Sequence, residues 1–108
     1  MNKKSNQRQS EIFNKFPTLK AHFEELCTKR RCEITDELIK TDEEYNSLVK
    51  NRAETSQVVL EILAEHGMSD RFEIYSDAVY AEEVYESDVI YKEAFLDAIE
   101  TMDIAGLL

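Results

Sequence analysis

The stretch YSDAVYAEEVYESDVIYKEAF, from Tyr75 to Phe95, places four tyrosines and six carboxylates around a single lysine. It contains neither glycine nor proline, and no helix breaker occurs between residue 70 and Met102. Tyr75, Tyr80 and Tyr85 recur every five residues, so on a helix each is turned by about 140° from the one before. The pattern therefore predicts one long helix over residues 70–102, with its tyrosines on different faces.

Two apolar stripes on this helix predict contacts with two neighbouring helices. The first stripe is Tyr80, Val84, Tyr91, Phe95, Ala98 and Met102, and the second is Ile74, Ala78, Ala81, Tyr85, Val89, Leu96 and Ile99. Together they span about half of the circumference, a width that is typical of a central helix with two neighbours. We therefore expect Tyr80, Tyr91 and Phe95 in the core.

A third face carries the candidate binding residues and is called here the acidic stripe. Its members are Tyr75, Val79, Glu82, Glu86, Ile90, Glu93, Asp97 and Glu100. One interpretation is a solvated helix back, because helix backs are often acidic and single exposed apolar residues are common. The other is a surface that binds a basic protein, with Tyr75 and Ile90 as anchors among charges that steer association.

Two helices are predicted before this one. Pro17 suits a first helical turn and predicts a helix over residues 17–32. Thr41, with Glu44 three residues later, fits a capping box, which predicts a second helix over 42–66 that ends at Gly67. The expected apolar face of the second helix is Tyr45, Leu48, Val49, Ala53, Val59, Leu60 and Leu63.

The predicted fold is all-α, a small antiparallel bundle of these three main helices within one domain over residues 10–108. Residues 1–9 are polar and basic and are expected to form a flexible tail. The third helix is about twice as long as the first, so part of it lacks cover. The helix could break near Ser87 and Asp88, residues 8–16 could extend the first helix, or a second copy could complete the bundle as a dimer.

The net charge of −10 is distributed unevenly. Residues 1–34 carry eight basic and four acidic side chains, whereas residues 35–108 carry five basic and nineteen acidic ones. Such an acidic surface repels nucleic acid and anionic lipid and attracts basic proteins. We expect no direct nucleic-acid binding and no membrane association.

Nothing in the sequence predicts catalysis, a metal site or a cofactor. The only histidines, His22 and His66, lack the spacing of metal ligands, and no glycine-rich phosphate loop occurs. Cys27 and Cys32 lie five residues apart, so on a helix they point in different directions and are expected to be free thiols. With no secretory signal pattern at the N-terminus, the expected location is the cytoplasm.

The segments LEILAEHG at 60–67 and YKEAFLDAI at 91–99 carry a resemblance. They resemble a type of small bacterial protein in which a leucine-rich helix ends at a lone glycine and a tyrosine-bearing helix closes with Tyr-x-x-small-Phe-x-Asp. The likeness covers about the last sixty residues, and that type often has glycine where this chain has Ala94 and Ala98. The resemblance implies a helical fold and a bacterial or prophage origin, without an activity.

Three functions remain open from the sequence. The leading interpretation is a non-catalytic protein that binds a basic partner through the acidic, tyrosine-bearing helix. The first alternative is an acidic inhibitor from a mobile element, of the anti-CRISPR or anti-restriction kind, that mimics nucleic acid and blocks a nuclease or another nucleic-acid-binding protein. The second alternative is a structural subunit that associates with itself.

Overall fold

A computed structural model describes residues 3–108, with side chains from residue 6 onward. Within that range the chain forms four α-helices and no strand: α1 (Lys3–Lys15), α2 (Pro17–Thr41), α3 (Glu43–Glu65) and α4 (Ser69–Ile104). The all-α prediction is confirmed. The prediction of a bundle of three main helices is not confirmed, because a fourth helix precedes them in this range.

The first two helices extend beyond the predicted ones. α1 begins at Lys3, within the predicted tail, whose first two residues lie outside the described range. It ends at Lys15 because Pro17 disfavours helical geometry in Phe16. α2 runs from Pro17 to Thr41, so the predicted end at residue 32 is wrong and the segment that follows is helical.

Asp42 is the N-cap of α3, where the sequence had suggested Thr41. The hydroxyl of Thr41 donates to the carbonyl oxygen of Glu37 at 2.7 Å, which keeps Thr41 in the last turn of α2. Asp42 has an extended backbone, and its Oδ1 accepts from the backbone N–H of Tyr45 at 2.8 Å. Asp42 is therefore the single residue between α2 and α3, and its carboxylate caps the N-terminus of α3.

Gly67 ends α3 as predicted. Its φ of +67° is in the left-handed region, where an L side chain is strained. Its N–H donates to Ala64 at 3.1 Å and the next N–H, of Met68, donates to Leu63 at 2.8 Å, the two bonds of a Schellman motif. α4 then begins at Ser69 and continues through Ser87 and Asp88 without a break.

The chain divides into two compact units. We call Met1–Cys32 with Tyr85–Leu108 the core unit, and Glu33–Val84 the hairpin unit. The boundaries fall inside α2 and α4, so each of these helices contributes to both units.

The core unit buries a small hydrophobic cluster where α1, α2 and α4 meet. Ile12, Phe23, Cys27 and Leu96 are each at most 5% exposed, and Tyr91 and Phe95 pack against them. The ring of Phe23 makes edge contacts with Phe13 at 5.1 Å and Phe95 at 5.7 Å between centroids. In this part of α4 the expected inward position of Tyr91, Phe95 and Leu96 is confirmed.

The hairpin unit buries none of its residues, all of which the structure describes. Its helices share one half-buried seam, formed by Leu38, Tyr45, Val49, Leu60, Leu63, Phe72 and Val79. Tyr80 is 68% exposed, so its predicted place in the core was wrong. Ile74, 69% exposed, and Leu48, 63% exposed, belong to predicted apolar faces that likewise stay in solvent. The physical reason is that a helix with a single long neighbour buries one stripe, and the other stripe stays in solvent.

Candidate protein-interaction surface

Arg8 of α1 contacts the C-terminal part of the acidic stripe. Its Nη1 lies 2.6 Å from Oε2 of Glu93, its Nε lies 2.9 Å from Oε1 of Glu100, and its Nη2 also donates to Asp97. A guanidinium has several donors in a fixed fork, so one arginine can bind carboxylates from successive turns of a helix. Three of the eight predicted binding residues are therefore paired within the chain.

The charge on Arg8 is strongly stabilised by these contacts. The hydrogen bond to Glu100 contributes most to raising the pKa of Arg8 above its ordinary value, burial opposes it, and Asp97 adds to it. Lys15, the last residue of α1, pairs with Asp103 of α4, and its Nζ lies 2.9 Å from Oδ2. Through these pairs α1 neutralises the acidic face of α4 where the two helices are in contact.

The other five residues of the acidic stripe differ in exposure. Tyr75 is 66% exposed and Ile90 59%, and Glu82 and Glu86 are exposed as well. Val79 is half-buried in the seam of the hairpin unit. The structure thus keeps the predicted anchors accessible, but the stripe does not present one continuous row of carboxylates.

An ionic cluster around a buried lysine was missed by the sequence reasoning. Lys92 is 7% exposed, and its Nζ lies 2.6 Å from Oε2 of Glu24 and 3.0 Å from Oδ2 of Asp88. Arg31 reaches the other oxygen of Asp88 at 3.2 Å. The available signal was a single lysine between Tyr91 and Phe95, with Asp88 one helical turn before it.

The Lys92 cluster has the chemistry of a structural ion pair. Burial acts to lower the pKa of Lys92, but the hydrogen bonds to Glu24 and Asp88 outweigh it, so the pKa is raised. A lysine that acts as a general base needs a lowered pKa, since only the neutral amine accepts a proton. Burial also disfavours the charged form of the neighbouring Cys27, so it raises the pKa of this thiol. A thiol with a raised pKa is a poor nucleophile.

The hairpin unit carries the entire net charge of the protein. Residues 33–84 contain four basic and fourteen acidic side chains, a balance of −10. Residues 1–32 and 85–108 contain nine of each and are neutral in sum. The boundary between neutral and acidic parts of the molecule therefore coincides with the boundary between the two units.

An apolar groove lies between α3 and α4 within the hairpin unit. It is open to solvent, has a volume of about 700 Å³ and is lined by some of residues 51–60 and 72–83. The side chains that make it apolar are Val59, Leu60, Phe72, Tyr75, Val79 and Tyr80. Two residues of the acidic stripe, Tyr75 and Val79, thus belong to this groove.

Comparisons with known proteins identified no relative of this chain. No known protein family matches the chain, and neither the curated proteins nor the solved structures include a significant match. Among residues 3–108, no group of three or more His, Cys, Asp or Glu side chains could hold a metal ion. No helix in the same range is both long enough and apolar enough to cross a membrane.

Proposed function

We propose that this protein is a non-catalytic binding protein whose hairpin unit binds a basic protein. One observation carries the proposal: the unit that holds the whole net charge of −10 is also the unit that buries no side chain. Exposed apolar side chains that are surrounded by charge of one sign are typical of binding surfaces. The binding site moves, relative to the sequence prediction, from the full acidic stripe to its N-terminal part.

The carboxylates and the apolar side chains have different tasks in such a surface. Glu82 and the other acidic residues attract a basic partner at a distance and exclude acidic ones. Tyr75 and Tyr80, 66% and 68% exposed, offer large rigid contact area once the partner has arrived. We therefore expect binding that weakens with salt but does not vanish, since salt screens only the charges.

The two alternatives from the sequence have less support. A nucleic-acid mimic needs an unbroken row of carboxylates, and Arg8 already neutralises the row at Glu93, Asp97 and Glu100. A structural homo-oligomer would cover the exposed apolar side chains, but it would also bring two acidic hairpin units together. A prophage origin stays a prediction.

The test is affinity capture with charge-reversed variants. The immobilised full chain is exposed to a lysate of the organism that carries the gene, at low and at high salt, and retained proteins are quantified by mass spectrometry. We expect the wild-type chain to retain basic proteins, and we expect the hairpin variant Asp77→Lys/Glu82→Lys to lose them. The matched control, Glu11→Lys/Glu25→Lys, changes the net charge equally but lies in the core unit and should retain them.

The outcome that contradicts the proposal is equal loss from both variants, because the total charge alone would then explain capture. Retention by both variants contradicts it too, since the acidic hairpin would play no part. Circular dichroism of each variant shows that the helices are intact, and all four substituted carboxylates are exposed in the wild-type chain.

A further inference from the structure

The α3–α4 groove has the dimensions of a peptide-binding site. Its lining consists of eight of the ten residues from 51 to 60 in α3 and six of the twelve from 72 to 83 in α4. Ten residues of helix extend for about 15 Å, which is the length of nearly three helical turns. Its volume of about 700 Å³ lies well inside the usual range of ligand sites, about 300–1,000 Å³.

We infer that the occupant of this groove is a basic, amphipathic α-helix of the partner protein, an inference that rests on the proposed function. Residues of two helices form the groove, so a third helix can lie along them. In this mode of recognition the guest helix inserts apolar side chains at positions i, i+3, i+4 and i+7. The apolar lining residues would contact them, namely Val59 and Leu60 of α3 and Phe72, Tyr75, Val79 and Tyr80 of α4.

The charge next to the groove determines the kind of helix. The two bordering segments, residues 51–60 and 72–83, contain one basic side chain, Arg52, and five acidic ones, Glu54, Glu73, Asp77, Glu82 and Glu83. Only Arg52 and Glu83 of these line the groove itself, so the acidic excess lies outside the lining and attracts lysine or arginine on the polar face of the guest helix at longer range. A second copy of this hairpin unit would bring the same acidic excess and be repelled.

The defined probe is a fluorescent peptide of fourteen residues with leucine at i, i+3, i+7 and i+10 and lysine and alanine elsewhere. A second peptide has the same composition but distributes its leucines around the helix. Fluorescence anisotropy with the full chain measures both dissociation constants at moderate salt. We expect the amphipathic peptide to bind at least about tenfold more tightly, because only its leucines can enter the groove together.

Tyr75→Ala supplies the test inside the protein, with Tyr85→Ala as its matched control. Both tyrosines lie on α4 and are 66% and 61% exposed, but only Tyr75 lines the groove. We expect Tyr75→Ala to weaken binding of the amphipathic peptide by about tenfold and Tyr85→Ala to leave it within about twofold. Neither change removes a buried side chain, so both variants should fold.

Equal binding of the two peptides overturns the inference, because recognition would then depend on charge alone, while the proposed function stands. Equal effects of Tyr75→Ala and Tyr85→Ala also overturn it, since the groove would not be the site. If light scattering shows a dimer that Tyr75→Ala converts to a monomer, a second copy occupies the groove and the basic helix does not. Failure of affinity capture, by contrast, contradicts the proposed function itself.

Discussion

The core unit and the hairpin unit differ in how far they bury the apolar faces of their helices. In the core unit α1 packs against α2 and α4, and four apolar side chains are at most 5% exposed. In the hairpin unit no residue is buried, and ten large hydrophobic residues are exposed, against six in the core unit over residues 6–32 and 85–108. One unit has the organisation of a folded core, and the other leaves many of its large apolar side chains exposed to solvent.

Two tyrosines of one predicted stripe differ in burial between the two units. Tyr80 and Tyr91 share a face of α4 by helical periodicity. Tyr91 packs against the core, whereas Tyr80 is 68% exposed. The sequence pattern at the two positions is alike, so the presence of a neighbouring helix decides which tyrosine is buried.

The largest expected contrast is between two identical substitutions, Leu96→Ala and Leu48→Ala. Leu96 is 0% exposed, and its truncation should lower the free energy of unfolding by about 2–5 kcal/mol. Leu48 is 63% exposed in the hairpin unit, and its truncation should change that free energy by about 0.5 kcal/mol or less. Urea denaturation followed by circular dichroism measures both. A large cost for Leu48→Ala would show that the hairpin unit is covered in solution.

The second contrast concerns the two free cysteines. Cys27 lies in the core at 1% exposure, and its thiol has a raised pKa because of burial, whereas Cys32 is exposed. Native alkylation followed by mass spectrometry should label Cys27 at least about a hundredfold more slowly, since labelling requires local opening of the core. Cys32→Ser isolates the slow reaction. Comparable rates at both thiols would contradict the buried position of Cys27.

The third contrast tests the Arg8 network against an isolated surface pair. Arg8→Gln leaves Glu93, Asp97 and Glu100 without their common cation, so it should lower the free energy of unfolding by about 1–2 kcal/mol. Lys50→Gln removes a pair with Glu54 in which both side chains are largely exposed, and should cost about 0.5 kcal/mol or less. Denaturation at low and high salt measures both. Equal costs would mean that the network contributes no more than a surface pair.

The smallest expected effect comes from the excess charge of the hairpin unit. Glu82→Gln removes one of fourteen acidic side chains there and should raise the free energy of unfolding by about 0.5 kcal/mol or less, because self-repulsion falls. Glu25→Gln in the neutral core unit should give no such gain. The difference between the two variants should shrink as salt is added. A gain for Glu25→Gln alone would contradict the charge division between the units.

Local sequence signals predicted the fold well where a local interaction decides the structure. Pro17 and Gly67 mark helix ends because their effect depends on their own backbone geometry. The start of α1 at Lys3 was missed because residues 1–9 are polar, and the helix is stabilised by long-range contacts such as those between Arg8 and α4. The cap was predicted one residue early because Thr41 and Asp42 are both good capping residues.

The candidate site could be predicted only in part, because a local pattern shows which residues share a helix face but not what contacts that face. The sequence identified Tyr75, Val79 and Glu82 as members of one helix face, and in the structure Tyr75 and Val79 line the groove. It also assigned Glu93, Asp97 and Glu100 to a free surface, and these three bind Arg8, which lies more than eighty residues away in sequence. No periodicity along α4 could reveal a cation that a different helix supplies.

By itself the sequence determined that this protein is all-α, that residues 70–102 are helical with two apolar stripes and an acidic one, and that the chain is strongly acidic. Only the tertiary structure decided which halves of those stripes are buried, which carboxylates are neutralised, and that the net charge resides in residues 33–84. The reason is physical. Helical geometry and capping depend on residues within a few positions of one another, whereas burial and charge pairing depend on contacts between segments distant in sequence.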